Sequence, residues 1–297
     1  MNCDDNTGIR CTEVSHPNDL APLLFSENGF TVLNVNVRSL SKNYSKLMAL
    51  LKQISFKVRI LIITETWLSD THSNLYAIKG YKHYSINRCG AKGKKKDGGI
   101  RIYFCETLDV DIIENFSGIF DSHEALFVEM GTRSSGKVKI GAIYRPPDKS
   151  VVSFTDYVDK HLVGPSFNSD DKYIIAGDMN IKYCPVSIAS NQRSLDYSTF
   201  FMENDFQFLI DKSTRFDKSN QSIIDHMWSN IKVNYTSCVL CSPLSDHFPT
   251  FANFELKPAN HSRWIKFRDF SNKTVHMCMS STKLKFLHLF MKRNLVR

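Results

Sequence analysis

Five short apolar segments of this sequence end in side chains of the kinds that enzymes use to bind metals and move protons. These side chains are Asn36, Glu65, Asp178 with Asn180, Asp225, and Asp246 with His247. Each one alone has an ordinary explanation, such as a cap, an Asx turn or a loop histidine with a local hydrogen bond. Because strand ends converge in α/β folds and ligands bind beyond them, the five endings together favour one common site.

The chemistry that this set of side chains favours is metal-assisted hydrolysis of a phosphoester. Carboxylates and carboxamides are the oxygen ligands that Mg²⁺ prefers, and a histidine beside an aspartate can carry charge near neutral pH. Phosphodiester cleavage needs neutralised phosphate oxygens, an oriented water and a stabilised leaving group, and these residue types serve all three needs. The sequence has no HExxH, GxSxG or GxxxxGK[ST] motif, which disfavours the corresponding enzyme classes.

The elements that must position these residues follow the pattern of a mixed α/β domain. Leu47, Leu50, Leu51 and Ile54 recur at helical spacing and predict a helix over 43–55, and a short helix is expected over 154–162. Predicted strands lie at 30–36, 58–64, 100–104, 126–130, 138–144, 173–176, 222–228 and 248–256. About 230 residues of this kind suffice for one large core.

Charge is distributed unevenly along the 297 residues, although 42% hydrophobic and 23% charged residues are ordinary for a globular protein. The net charge of +8 lies in residues 258–297, which hold nine Lys or Arg and one acid, Asp269. Such a basic tail suggests a polyanionic partner. A second basic cluster contains Lys94, Lys95 and Lys96, and forms either a solvated loop or a loop that contacts phosphate.

Export, membrane insertion and a structural zinc are all disfavoured by the sequence. The first fifteen residues carry acids and no apolar run, so we expect no secretory signal, and no apolar stretch approaches the ~20 residues of a membrane span. The eight cysteines are scattered, and Cys238-x-x-Cys241 has no second CxxC to complete a zinc site. Reduced thiols of an intracellular protein fit better.

The order of the motifs strongly resembles the endonuclease/exonuclease/phosphatase superfamily, over about residues 28–257. More narrowly, it is similar to the apurinic-endonuclease-like domain of LINE-type (non-LTR) retrotransposons. The motifs that carry this resemblance are LNVNVRSL at 33–40, TETWL at 64–68, GG at 98–99, IYRPP at 143–147, GDMN at 177–180, IDH at 224–226 and SDH at 245–247. The resemblance implies a DNase I-like four-layer sandwich of two mixed β-sheets flanked by helices.

The resemblance also implies a role for each matching residue. Glu65 matches the principal Mg²⁺ ligand, with Mn²⁺ as a possible substitute, and Asp246 matches a carboxylate close to the metal. Asp178 would orient or deprotonate the attacking water with support from Asn180, and His247, charged by Asp225, would hydrogen-bond the scissile phosphate. Asn36 would hold Asp178, and Tyr144 would hold the phosphate. Arg38 departs from cellular repair members, which carry an acid there, and this weakens a repair function.

Several neighbouring residues keep two interpretations. Arg145 either contacts phosphate or pairs with a surface acid. Arg215 belongs to a Thr-Arg pair that resembles a family motif near the DNA-contacting face, and it either contacts DNA or does not. Trp67 is expected to pack in the core, and His226 is expected to be structural because it follows Asp225 on a strand and faces the opposite side.

The resemblance predicts an Mg²⁺-dependent endonuclease that nicks target DNA for primed reverse transcription, nuclear when it acts on chromosomal DNA. No small-molecule cofactor and no membrane partner are expected. The alternatives are a same-fold phosphatase for lipid, inositol or RNA substrates, and a decayed retroelement fragment that at most binds nucleic acid. We expect a polar N-terminal extension at 1–27, the nuclease domain at 28–257 and, at 258–297, a basic tail that resembles the linker before a missing reverse transcriptase.

Overall fold

A computed structural model describes residues 11–25, 29–72, 75–88, 97–132, 136–160, 171–183, 192–217, 220–242, 244–258, 263–268 and 274–279. The strands are β1 Thr12–Val14, β2 Phe30–Asn36, β3 Ile60–Thr64, β4 Tyr81–Ile86, β5 Ile100–Cys105, β6 Val110–Ile112, β7 Gly118–Ile119, β8 Glu124–Thr132, β9 Gly136–Tyr144, β10 Lys172–Asp178, β11 Gln207–Phe208, β12 Arg215–Asp217, β13 Asn220–Ser222, β14 Asp225–Ser229, β15 Tyr235–Leu240, β16 Thr250–Phe254, β17 Arg263–Arg268 and β18 Thr274–Met279. The α-helices are α1 Leu40–Gln53, α2 Val151–Val158 and α3 Gln192–Glu203, and short 3-10 helices lie at Pro17–Leu23, Asp70–His72 and Glu114–Phe116.

Two large mixed sheets form the centre of the domain, as predicted. The first has the order β1-β15-β16-β2-β3-β5-β4, and the second has the order β11-β14-β10-β9-β8-β6, with β7 paired to β8. Parallel pairs (β1–β15, β2–β3, β9–β10) stand beside antiparallel ones in both sheets. The hairpins β12–β13 and β17–β18 form separate two-stranded sheets.

The strands are apolar on both faces because each sheet packs against a second layer on either side. Alternate residues such as Ile62 and Ile174 fill the core between the sheets. Their neighbours face outward, where Leu61 packs in a cluster with Leu47 of α1. On the other sheet, Ile175 shares a cluster with aromatic side chains of α2 and α3. The result is the predicted sandwich of two sheets flanked by helices.

The boundaries of the predicted elements are corrected in several places. The helix expected over 43–55 is α1, Leu40–Gln53, and the last strand is shorter, Thr250–Phe254. The segment expected as one strand over 222–228 is divided, since Ile223 and Ile224 accept backbone hydrogen bonds from Tyr183 and Met179 instead. Asp225 therefore begins a strand rather than lying within one.

Part of the segment expected as a polar N-terminal extension joins the domain. Thr12–Val14 pair in parallel with Cys238–Leu240 at the edge of the first sheet, and Leu20 is fully buried. This strand was not predicted from the polar sequence, because three residues are too few to show the alternation of a strand. Among the described residues, no helix is long and apolar enough to cross a membrane.

Candidate active site

The ends of four central strands meet at one edge of the sandwich. In the first sheet, Asn36 at the end of β2 pairs with Thr64 at the end of β3, so that Glu65 follows immediately. In the second sheet, Tyr144 at the end of β9 and Asp178 at the end of β10 are paired, and Asp178 is also opposite Asp225 at the start of β14. Parallel strands end on the same side, so the chain topology brings the predicted residues together.

The carboxamide of Asn36 joins the two sheets at this edge. Its Nδ2 donates to Glu65 Oε1 at 2.8 Å and to Asp178 Oδ2 at 2.8 Å. Its Oδ1 accepts the backbone N–H of Arg38 at 3.0 Å. Asn36 is fully buried, so each of these bonds satisfies a group that water does not reach. The predicted contact of Asn36 with Asp178 is thus present.

His247 and Asp225 form a buried ion pair next to Asp178. His247 Nδ1 lies 2.8 Å from Asp225 Oδ2, and the two side chains are 2% and 1% exposed. Burial alone would lower the pKa of His247, but the carboxylates of Asp225, Asp178 and Asp246 outweigh it and raise that pKa to about 9. The imidazole is therefore cationic at neutral pH.

The pKa of the Asp178 carboxyl is raised toward neutral pH. Burial and the nearby charge of Asp225 raise its pKa to about 7, although His247, Asn36 and the backbone N–H of Asn180 favour its charged form. A carboxyl that titrates near neutral pH is suited to take up and return a proton.

Unusual backbone conformations concentrate at this site. Of the seven non-glycine residues with positive φ in the described chain, five flank it, namely Arg38, Ser39, Glu65, Trp67 and Asn180. Glu65 has φ of 52°, and its carbonyl accepts the N–H of Ser39 at 2.9 Å. Backbone hydrogen bonds across the two loops thus hold conformations that side-chain-bearing residues rarely adopt.

Glu65 and Asp246 each carry carboxylate oxygens of the kind that a hard divalent cation binds. Glu65 is half-buried and accepts from Asn36 and, at 3.2 Å, from the indole Nε1 of Trp67. Asp246 Oδ1 is buried and has no hydrogen-bond partner among the described residues. An unpartnered carboxylate oxygen is the donor chemistry that Mg²⁺ accepts.

Ligand atoms of Asp178, Asp225 and His247 also lie within 4.8 Å of one another. A metal-bound imidazole must be neutral, whereas His247 is held in its charged form by Asp225. With its imidazole protonated, this triad is suited to proton transfer and anion contact.

The structure decides the expectations for Trp67 and His226 and shows the surroundings of Tyr144. Trp67 is half-buried and donates to Glu65, so its expected place in the core is wrong. His226 is buried against Tyr197 with its pKa lowered to about 4, chiefly by burial, so it is structural as predicted. Tyr144 is 4% exposed, and burial with the charges of Glu65 and Asp178 raises its pKa, so it stays a phenol.

Arg145 is not available to a substrate phosphate. It is 2% exposed and donates to the backbone carbonyls of Met179 at 2.7 Å and Asn180 at 2.6 Å, and to those of Pro146 and Lys149. The nucleic-acid-binding prediction for Arg145 is corrected accordingly, because its guanidinium fixes the loop that carries Asn180. Asn180 Nδ2 donates in return to the Arg145 carbonyl at 2.9 Å.

The other predicted nucleic-acid contacts have different outcomes. Arg215 lies at the site, with Nη2 3.3 Å from Asp246 Oδ2. Lys94, Lys95 and Lys96 lie outside the described residues, so their contact with phosphate stays a prediction.

Three supporting residues were given no role by sequence reasoning, although Thr214 and Ser245 lie within the motifs quoted above. Thr214 Oγ1 accepts the backbone N–H of Asp225 at 3.1 Å, and Ser245 Oγ donates to the Asn36 carbonyl at 2.7 Å. Glu124 is buried, accepts the Gly99 N–H at 2.6 Å, and leaves no room for a Cβ at Gly98. Burial and nearby charges raise its pKa to about 7. An acid at the start of an apolar strand was the available signal for Glu124.

Comparison with known proteins agrees with this geometry. Residues 138–251 match a family model described as endonuclease-reverse transcriptase, a range that includes Tyr144, Asp178, Asp225 and His247. A search of curated proteins found no match.

Solved structures share the fold at low identity. The endonuclease domain of TRAS1, a telomere-specific non-LTR retrotransposon, is 17% identical with a TM-score of 0.56, covering 77% of this chain and 99% of that one. The APE2 catalytic domain of Xenopus laevis is 13% identical with a TM-score of 0.59, covering 79% and 94%. A mannosyl-6-phosphatase of Bacteroides thetaiotaomicron is 16% identical with a TM-score of 0.53, covering 76% and 99%.

Proposed function

We propose that this chain, which carries a domain of the endonuclease/exonuclease/phosphatase type, is a divalent-metal-dependent hydrolase that nicks DNA. The observation that carries the proposal is the pair of bonds from Asn36 to Glu65 and Asp178, beside the charged His247–Asp225 pair. These contacts support the proposal because they join carboxylate oxygens suited to a cation, a carboxyl that titrates near neutral pH and a buried imidazolium.

Each residue has a distinct task in this mechanism. Mg²⁺, or Mn²⁺, held by Glu65 and Asp246, would neutralise charge on the phosphate. Asp178 in its ionised form would take a proton from the attacking water, and the hydrogen bond from Asn36 would keep it oriented. Protonated His247 would donate to a phosphate oxygen, with Asp225 fixing its ring and charge. Tyr144, kept as a phenol, would donate a further hydrogen bond.

DNA is the proposed substrate, and nicking of target DNA for primed reverse transcription is the proposed role. The endonuclease-reverse transcriptase description of residues 138–251 and the likeness to a retrotransposon endonuclease domain support this role. One solved relative of this fold, a 3′ phosphatase from Neisseria, is described as bound to a product DNA hairpin. A role in priming implies action in the nucleus, where chromosomal DNA is available.

A phosphatase is the second candidate, since the mannosyl-6-phosphatase shares the fold. A decayed fragment is the third. The intact hydrogen bonds among Asn36, Glu65, Asp178, Asp225 and His247 weigh against decay of the site itself.

A plasmid assay separates the three candidates. Supercoiled plasmid with Mg²⁺ should be converted to the nicked form by the wild-type chain and not by His247→Gln. Lys137→Gln, which removes an exposed charge at the far end of β9, should nick like the wild type. A sugar phosphate and an inositol phosphate are incubated in parallel. Phosphate release without nicking would favour the phosphatase, and neither activity would favour the decayed fragment.

A further inference from the structure

Two arginines share a single carboxylate at the edge of the candidate active site. Arg38 Nη1 lies 2.8 Å and Arg215 Nη2 lies 3.3 Å from the same atom, Asp246 Oδ2. The side chains of Arg38, Arg215 and Asp246 are 47%, 33% and 29% exposed, so all three reach solvent. With one carboxylate and two guanidinium groups, this cluster has a net charge of +1.

Most of the hydrogen-bonding capacity of this cluster is unused. A guanidinium has five N–H donors. Within the described part of the chain, neither arginine side chain has an ion-pair or hydrogen-bond partner besides Asp246, and Arg215 Nε is buried without any partner. A buried donor without a partner is costly and indicates a ligand or water at that point.

The backbone of each arginine is linked directly to a residue of the candidate active site. The backbone N–H of Arg38 donates to Asn36 Oδ1, on the same carboxamide that binds Glu65 and Asp178. The backbone of Arg215 forms an antiparallel bridge with His247. The backbones of the two arginines are thus fixed relative to the reacting groups.

Cationic side chains gather around Asp246 at the candidate active site. Glu65 and Asp178 are linked by the neutral Asn36, whereas Asp246 is paired with Arg38 and Arg215. The imidazole of His247 is paired with Asp225. Asp246 Oδ1 has no partner among the described residues and stays open to a cation, whereas the cationic groups on Asp246 Oδ2 favour an anion beside them. Arginine presents paired N–H groups that match two phosphate oxygens, and half-exposed ion pairs such as these are weak enough to exchange partners.

We propose that Arg38 and Arg215 form a phosphate-binding pair that takes a backbone phosphate of the DNA substrate, with Asp246 setting the spacing between them. This proposal rests on the proposed function, because it assumes that a polynucleotide binds at the candidate active site. It adds a positioning contact outside the catalytic residues and gives Arg38, unexplained by the sequence, a role.

The salt dependence of DNA binding tests this proposal without any turnover. Binding of a 20-bp duplex is measured by fluorescence anisotropy in EDTA over a series of salt concentrations. Arg38→Gln and Arg215→Gln should each weaken binding about tenfold and reduce the slope of log K against log salt by about 1. Arg38→Lys should keep the slope, since the charge remains. Lys137→Gln, roughly 23 Å along β9 from Tyr144, should change neither quantity.

The possible outcomes distinguish a failure of the phosphate-binding pair from a failure of the proposed function. If the arginines only hold Asp246 in place, their replacement changes nicking but leaves the salt slope of duplex binding in EDTA at the wild-type value. That result overturns the proposal. If the slope falls as expected but the wild type never nicks plasmid, the phosphate pair stands and the proposed function fails. A wild-type chain that does not bind duplex at any salt concentration overturns both. Thermal unfolding midpoints of the variants within about 1 °C of the wild type exclude misfolding as the cause.

Discussion

His247 and Asp225 are bonded to each other across the two sheets, with Nδ1 2.8 Å from Oδ2. Asp225 begins β14 in the second sheet, whereas His247 lies in the loop that leads into β16 of the first. The pair depends on both sheets being packed in register. It also sets the charge of the imidazole, and several predictions rest on it.

Asp225→Asn tests the electrostatic role of the pair. The asparagine keeps the size and a hydrogen-bonding atom, so the fold should remain, but the charge that favours the imidazolium is lost. We expect the nicking rate at saturating DNA to fall about 10²–10³-fold. Single-turnover rates measure this effect, and circular dichroism checks the fold. A loss below threefold would contradict the role assigned to Asp225.

Glu65→Ala tests the cation site and should behave differently. Removing a metal-binding carboxylate should raise the Mg²⁺ concentration for half-maximal nicking by at least about tenfold. Excess Mg²⁺ should restore part of the activity of Glu65→Ala and none of that of Asp225→Asn. Rescue of both variants, or of neither, would show that the metal and histidine roles are assigned wrongly.

The pH profile of nicking should be bell-shaped. Asp178 must be ionised to act as a base, so with a pKa of about 7 the rate should rise as the pH passes that value. His247 must be protonated, so with a pKa of about 9 the rate should decline above it. In Asp225→Asn the alkaline decline should move to lower pH. A profile whose alkaline side is the same in both proteins would argue against a requirement for protonated His247.

Stability without metal should also depend on the protonation of His247. Its folded-state pKa of about 9 is above the ordinary value of about 6.5, so the folded chain holds the proton more tightly. The resulting stabilisation is fully present below about pH 6.5 and is lost as the pH rises through about 9. Urea midpoints measured in EDTA should therefore fall over this range, and fall less in His247→Gln. Parallel curves for the two proteins would refute this linkage.

Arg145 should be a stability residue rather than a DNA contact. Arg145→Met leaves the carbonyls of Met179 and Asn180 without their buried donor, which should cost about 2–5 kcal/mol of unfolding free energy. Urea denaturation measures this cost. The salt slope of duplex binding, measured on the folded variant at low temperature, should match the wild type. A reduced slope would return Arg145 to the DNA interface.

The sequence by itself determined the composition of the site and much of the fold. The strand predicted over 30–36 has the same ends as β2 in the structure. It was recognisable because a strand buried on both faces leaves an apolar run in the sequence. The polar residue that follows each segment marked the site, since strand ends are where α/β folds place their ligands. Asn36, Glu65, Asp178, Asp225 and His247 were all identified in this way.

Only the tertiary structure decided which of these side chains touch and what their neighbours do. Arg145 and Arg215 look alike in the sequence, yet one is buried against four carbonyls and the other is half-exposed on Asp246. Arg38 and Asp246 are 208 residues apart, and no periodicity relates them. Local sequence patterns report burial and backbone preference, whereas the partner of a charged side chain depends on how distant strands are packed. The charge of His247 and the pairing of two arginines with Asp246 are consequences of that packing alone.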